Sequence, residues 1–402
     1  MTSNKDERRC HPTSRGELER RWAAVRAQMP DAKIDALILQ GANNMTGTGG
    51  YFRWFTGISV LSSYPQTVIV PRDGLMTVVW HGAFNEDTKF DGNDPALPGI
   101  GRRLGAPAFP AVSYCGGLEA ELVAEEVKRR GYRTLGIVAP QSMLFAFGSR
   151  LKELLPGVTF VDATELFDLL KAIKSPEEMA FIRQTAAMQD QIMAKVREHI
   201  RPGMRDFEVM AYAQYVGQLL GSETGYFLGS SAPPGQPAGM RRRGEQNRVM
   251  REGDAFMFQA ENTGPGGLFV HHGRVFVLGK APQELVDLFG RMVEAQDFTI
   301  GLLKPGASCQ EIFAEYNAYM TARGLPDERR VHCHGQGYDV VERPLIRSDE
   351  TMAIAAGMNI GIHPNPGLSN PRVFVTVCDN FLIGEGGNVE RLHTTPREII
   401  EV

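Results

Sequence analysis

The sequence predicts two successive domains, an α/β domain to about residue 170 and an α+β domain from there to the end. Three observations predict this division. Helix-like and strand-like segments alternate through the first part. A strongly capped helix then opens at Ser175. The strand-like runs beyond it follow one another as hairpin members, and no G-x-G-x-x-G or Walker loop joins a strand to a helix, so a nucleotide cofactor is not expected. At 402 residues the chain is long enough to bury two ordinary cores.

Residues 1 to 14 read as a polar arm. The arm lacks the apolar core of a signal peptide, and nowhere does the chain reach the ~18 apolar residues of a membrane span, so a cytoplasmic protein is expected. GELERRWAAVRAQMP places Leu18, Trp22, Val25 and Met29 at helical spacing. IDALILQ (34 to 40) is an apolar run typical of a buried strand, and SYPQTVIVPRDGLMTVVW holds two strands about an Arg72-Asp73-Gly74 turn. LEAELVAEEVKRRGYRTLGIVAP reads as helix, Gly131 stop, then strand. At the boundary, Ser175 caps a helix, Pro176 fits its first turn, Glu178 completes a capping box, and Met179, Ile182, Ala186 and Met193 form an apolar stripe. Further helices are expected at 205 to 220, 282 to 303 and 308 to 323, with strands in DAFMFQAEN, GLFVHHGRVFVLG, MNIGIHP and VFVTVCDNFLIGEGG. SSAPPGQPAGMRRRG (230 to 244), rich in Gly and Pro, reads as a long loop.

The formal net charge of -4 gives no support to a nucleic-acid or anionic-membrane partner. Arg241, Arg242 and Arg243 are a local basic run, either a solvated loop or an anion site. The five cysteines (Cys10, Cys115, Cys309, Cys333, Cys378) are odd in number and lack C-x-x-C spacing, which suits reduced thiols.

Several segments, in order, resemble the creatinase/aminopeptidase P family from about residue 171 onward. IKSPEEMAFIRQTAA resembles its opening helix, and REGDAFMFQAENTGPGGLFVHHGRVFVLGK its central hairpin. LKPGASCQEIF resembles its helix-turn-helix and HGQGYDVVERP its His-Gly-x-Gly segment. GMNIGIHP and CDNFLIGEGG resemble its last two site strands, and YFRWFTGI (51 to 58) resembles an element of its amino-terminal domain. The resemblance implies a creatinase-type α/β domain over 15 to 170 and a pita-bread catalytic domain over 171 to 402. It also implies a homodimer in which one subunit's amino-terminal domain reaches the partner's site.

Peptidases of that family hold two metal ions with two Asp, one His and two Glu. In this sequence the matching positions carry Gln259, His271, His334, His363 and Cys378, with Asp379 beside the last. A family histidine upstream of the first site strand falls on Arg242. Another, in a His-Glu-x-Pro segment, falls on Val341, with Glu342 retained. Two adjacent divalent ions need bridging carboxylates, and Gln259 is a neutral amide. A dinuclear peptidase site is therefore not expected.

Two arrangements remain open. His271, His334 and His363 fall where one ion sits in the family, and three neutral imidazoles suit Zn, Fe, Cu or Ni; one divalent transition ion, Zn, Fe or Mn, is the expected cofactor. The alternative is a metal-free site, as in creatinase, working through a histidine and carboxylates. Glu261 shares a strand face with Gln259 and is a candidate proton-transfer group, as are Glu342 and Asp379. Arg242 is placed to clamp a substrate carboxylate by a bidentate pair, with Gln259, Tyr226 and Trp54 as further substrate contacts. Tyr51, Phe52, Trp54 and Phe55 form an aromatic set that reads either as core or as pocket wall. His272 should point away from His271, and Cys378 is a ligand, a nucleophile or core. The function these readings imply is hydrolysis of a C–N bond in a small, polar, carboxylate-bearing metabolite. A lyase or an Fe-dependent oxygenase on the same three histidines, and a non-catalytic binding protein, are the alternatives.

Overall fold

The computed structural model describes residues 9–41, 49–60, 64–365 and 373–402, so most of the expected amino-terminal arm, residues 1–8, lies outside the described residues. The chain divides into two compact units, one ending at Lys171 and the other beginning at Ala172.

The first unit runs α1 (Arg15–Gln28), β1 (Ala36–Gly41), α2 (Gly50–Thr56), β2 (Gln66–Pro71), β3 (Met76–His81), β4 (Asp87–Lys89), β5 (Ile100–Ala106), α3 (Leu118–Arg130), β6 (Thr134–Val138), α4 (Phe145–Leu154), β7 (Thr159–Asp162) and α5 (Thr164–Ala172). The Ser14 hydroxyl starts α1 by accepting the Glu17 amide at 3.2 Å, and Leu18, Trp22 and Val25 bury its apolar face. The seven strands form one mixed sheet in the order β4-β5-β3-β2-β1-β6-β7. β1 is buried at every position, which explains its unbroken apolar run. Ala36 and Ile38 of β1 pack with Val123 and Val127 of α3 and Phe147 and Leu151 of α4.

The second unit begins with α6 (Pro176–His199), whose capping box forms as its sequence requires: Glu178 N donates to Ser175 Oγ at 3.2 Å and Ser175 N to Glu178 Oε2 at 2.8 Å. Then come α7 (Asp206–Leu219), β8 (Gly225–Ala232), β9 (Ala255–Thr263), β10 (Phe269–Val277), α8 (Gln283–Leu302), α9 (Cys309–Ala322), β11 (Cys333–Gly335), β12 (Glu342–Leu345), β13 (Asn359–Ile362), β14 (Asp379–Ile383), β15 (Val389–Arg391) and β16 (Ile400–Glu401). Two sheets result, β16-β10-β9-β8 and β12-β11-β13-β14-β15. β8, β9 and β10 are consecutive antiparallel strands. Ile192 and Val196 of α6 pack on Phe256, Phe258 and Phe276 of that sheet. Val275 and Val277, on the other face of β10, meet Leu285, Phe289 and Met292 of α8. The two sheets meet where Gly273 of β10 bridges Cys378, just before β14. No described helix is long and apolar enough to cross a membrane.

In the first unit, Glu119 of α3 is buried beside Gln40, whose Nε2 donates to it at 2.9 Å. Gln40 Oε1 in turn accepts the Leu144 amide at 2.9 Å. Burial pushes the Glu119 carboxyl up to about 8, with the Gln40 bond pulling weakly the other way. The folded state therefore keeps a proton that the unfolded chain gives up near the ordinary value of 4.5. Stability from this group is fully present below that value and is lost as pH rises to about 8, at about 1.4 kcal/mol per unit. Thermal melts of the full chain between pH 5 and 9 should show this loss, and Glu119→Gln should flatten it. An unchanged pH profile in the variant would contradict the assignment.

Candidate functional site

The central hairpin positions one part of the site through strand register. Glu261 of β9 is the Cα partner of His271 on β10 and of Tyr226 on β8, so the three side chains share one face. One step along, Gln259 lies opposite Gly273. The second sheet supplies the rest. His334 of β11 faces Gly361 of β13, and the pairing continues with His363 N donating to His332 O at 2.8 Å. Residues 361 and 363 therefore share a face with His334.

His271, His334 and His363 come together, with one ligand atom of each within 4.8 Å of the others. The three ring centroids form an equilateral triangle with 5.1 Å sides. Ligation at about 2.0–2.1 Å brings the donor atoms to about 3.4 Å, so the rings need only tilt toward a common point. His271 and His334 are buried, at 1% and 3% exposure, and His363 is half-buried. His334 Nδ1 lies 2.9 Å from the Gly335 carbonyl, which fixes the proton on Nδ1 and leaves Nε2 with its lone pair. Burial lowers all three imidazoles, and in His271 and His363 the neighbouring rings add to it. They are neutral at neutral pH, the state a metal requires. His271 Nε2 is buried without a hydrogen-bond partner. These residues fit a single borderline ion: three lone-pair nitrogens, one of them otherwise unsatisfied, and no carboxylate among them.

Gln259 is buried, donates through Nε2 to Glu261 Oε1, and keeps Oε1 without a partner. The Glu261 residue retains some exposed surface, but its carboxyl group is enclosed and burial raises it, the Gln259 bond opposing. Tyr226 is raised by burial and by Glu261 beside it. Cys378 is fully buried and its thiol is pushed well up by burial, then by Glu261 and Asp379.

The other candidates lie elsewhere. The Asp379 carboxylate takes the Arg274 guanidinium at 2.9 Å and groups with His272 and His393, which stack at 4.1 Å. Burial alone would raise Asp379, but Arg274 and His272 outweigh it and hold it far below the usual carboxylate range. Glu342 does not join the histidines: it pairs with Lys174 at 2.8 Å and accepts the Asp339 amide at 2.9 Å. Trp54, 1% exposed, packs edge-on against Phe55 in the first unit with Arg21 over its ring, and offers a substrate no accessible surface within that unit. Arg242 is exposed at the start of a short 3-10 turn, in a loop tied to β8 by Gln246 Nε2 and the Gly229 carbonyl at 3.1 Å. His332 stacks on Tyr316 at 3.5 Å and is not one of the three grouped donors. The sequence reading missed Asn380, whose side chain accepts the His271 amide at 3.0 Å and donates to Gln336 and Asn359. It also missed His393. Asn380 lies within the strand-like run VFVTVCDNFLIGEGG, where nothing sets it apart from its neighbours, and His393 lies on no motif.

Residues 180–387 match the profile of metallopeptidase family M24, and residues 21–173 match the creatinase/prolidase N-terminal domain. The sequence is 25% identical to an uncharacterized hydrolase/peptidase of Sinorhizobium fredii, across 96% of this chain and 98% of that protein. It is also 25% identical to the Xaa-Pro dipeptidase of Pyrococcus furiosus, across 72% of this chain and 86% of the relative. The prolidase of Thermococcus sibiricus superposes with a TM-score of 0.77 at 18% identity, covering 96% of this chain and 99% of the other. The X-Pro aminopeptidase of Thermotoga maritima gives 0.76 at 15% identity, covering 95% and 99%. At such identities the structural likeness is one of fold: a creatinase-type α/β domain followed by a pita-bread domain.

Arg274 and Asp379 are both fully buried. Asp379→Asn leaves the guanidinium without its counter-charge and should lower stability by about 3–5 kcal/mol, read from the denaturant midpoint. A loss below about 1 kcal/mol, the worth of an exposed pair, would show that the pair does not hold the strands.

Proposed function

The chain belongs to metallopeptidase family M24 and is a hydrolase of that family, and on that premise we propose that it cleaves a C–N bond in a small, polar, carboxylate-bearing metabolite with one divalent transition ion and not two. The convergence of His271, His334 and His363 carries the reading. Its complement is the neutral amide of Gln259, which has no anionic oxygen to bridge a second ion. The relatives named as Xaa-Pro dipeptidases supply the reaction class; these residue types argue for a different substrate.

When bound, an ion held by the three histidines supplies Lewis acidity and a water acidified enough to attack near neutral pH. The remaining chemistry belongs to the chain. Glu261, raised by burial, exchanges a proton with the reacting atoms, and Gln259 Nε2 fixes its orientation. Tyr226, raised as well, keeps its hydroxyl proton and offers a neutral donor. Arg242, exposed on its loop, pairs with the substrate carboxylate from the solvent side.

Metal analysis of protein purified without chelator tests this reading. One equivalent of Zn, Fe or Mn is expected, with no measurable cleavage of Xaa-Pro dipeptides in added Mn, Co or Zn. Two bound equivalents with metal-stimulated dipeptide turnover would sink it. Once a substrate is identified, Arg242→Ala should raise KM about 10- to 100-fold, the loss of a charge-assisted pair worth about 1.5–3 kcal/mol, with little change in kcat. An unchanged KM would return Arg242 to the solvated loop.

A further inference from the structure

His271 reaches the other two histidines from a different sheet, and one row of residues makes this possible. His334, Gly361 and Asn380 are Cα partners across β11, β13 and β14, so their side-chain positions lie on one face. His334 places an imidazole on that face. Asn380 Oδ1 accepts the His271 backbone amide at 3.0 Å and pins β10 above the row. Between them Gly361 places nothing. A Cβ there would lie 2.0 Å from His271 Nε2, 2.6 Å from Cε1 and 3.0 Å from Cδ2. The His271 ring thus fills the volume that any other residue at 361 would occupy. Gly361 lies within β13 and is not among the positive-φ glycines, so its backbone does not call for glycine. The imidazole above it is what requires glycine here.

We infer that Gly361 is a positioning residue for His271: the missing side chain at 361 is what admits the third nitrogen donor, and the two positions act as one unit. The steric half of this inference stands on geometry alone. The metal half rests on the mononuclear centre proposed above. An added methyl group has to displace the ring, because His271 is 1% exposed and its backbone is pinned at Asn380. A displaced ring leaves two donors where there were three.

Titration of the full-length protein with Co(II), followed by its visible d–d bands, tests the metal half. Wild type is expected to bind one equivalent with the intense bands of a low-coordinate nitrogen site. Gly361→Ala should weaken binding at least about tenfold, a loss like that of disturbing a ligand's support, and alter the bands. His271→Ala should behave alike, and the double variant should be no worse than either single. Wild-type affinity and bands in Gly361→Ala would overturn the inference. If wild type binds no Co(II), the mononuclear reading fails, and the steric half is decided on metal-free protein. There Gly361→Ala should lower Tm by on the order of 5 °C, yet leave it unchanged or raise it in the His271→Ala background, where a glycine replaced at a compatible backbone position gains stability. Equal shifts in both backgrounds would overturn it.

Discussion

The second unit depends on how closely β10 approaches the sheet that carries β13 and β14. Gly273 N donates to the Cys378 carbonyl at 3.0 Å and Cys378 N to the Gly273 carbonyl at 3.2 Å, joining the two sheets, and Phe269 N of β10 adds a bond to the Gly337 carbonyl at 2.6 Å. A Cβ at Gly273 would come within 3.1 Å of both Cys378 Cβ and Gln259 Oε1, so glycine sets this separation. The three-histidine site is assembled from the two sheets joined there. Gln259, Glu261 and His271 project from one sheet, His334 and His363 from the other.

Strand alternation then divides the histidines between two environments. His271 points to the three-imidazole face. His272 points the opposite way and meets Asp379 and His393. The back cluster is fully supplied with charge, through the buried Arg274–Asp379 pair and the Arg274 bonds to the Gly273 and Cys378 carbonyls. It ties together the same backbone atoms that join the sheets. The front cluster holds neutral rings and a neutral thiol, with His271 Nε2 and Gln259 Oε1 buried without partners; on the back, His272 Nε2 is also without a hydrogen bond, but the Asp190 carboxylate lies 3.8 Å from it. Buried polar atoms without partners are rare because each costs about 1–3 kcal/mol, and the two on the front face belong to His271 and to Gln259, which neighbours it across the hairpin.

Much of the fold is legible in the residues themselves. The Ser175 capping box, the apolar stripe of α6 and the hairpin strands depend on local backbone rules, and a local rule leaves its mark in consecutive residues. The same holds for the fold class, because several motifs in order constrain topology as one motif cannot. The three histidines were legible as a set only through the resemblance, since His271, His334 and His363 lie on three separate segments. Asp379 and Glu342 read equally well as site carboxylates on the chain, where nothing distinguishes a carboxylate that meets Arg274 or Lys174 from one that faces a substrate.

The sequence by itself determined the order of the domains, the helix that opens the second, the neutral amide at Gln259 and the residue types available for chemistry. Those properties reside in residue identity and short-range spacing. The tertiary structure alone decided which side chains meet: that Asp379 and Glu342 are held by buried cations, that Trp54 is core, and that Gly361 leaves the space His271 fills. Each is a contact between residues far apart in the chain, or a volume left empty by a missing side chain. A sequence records neither, because its spacing carries no information about which distant surfaces pack against one another.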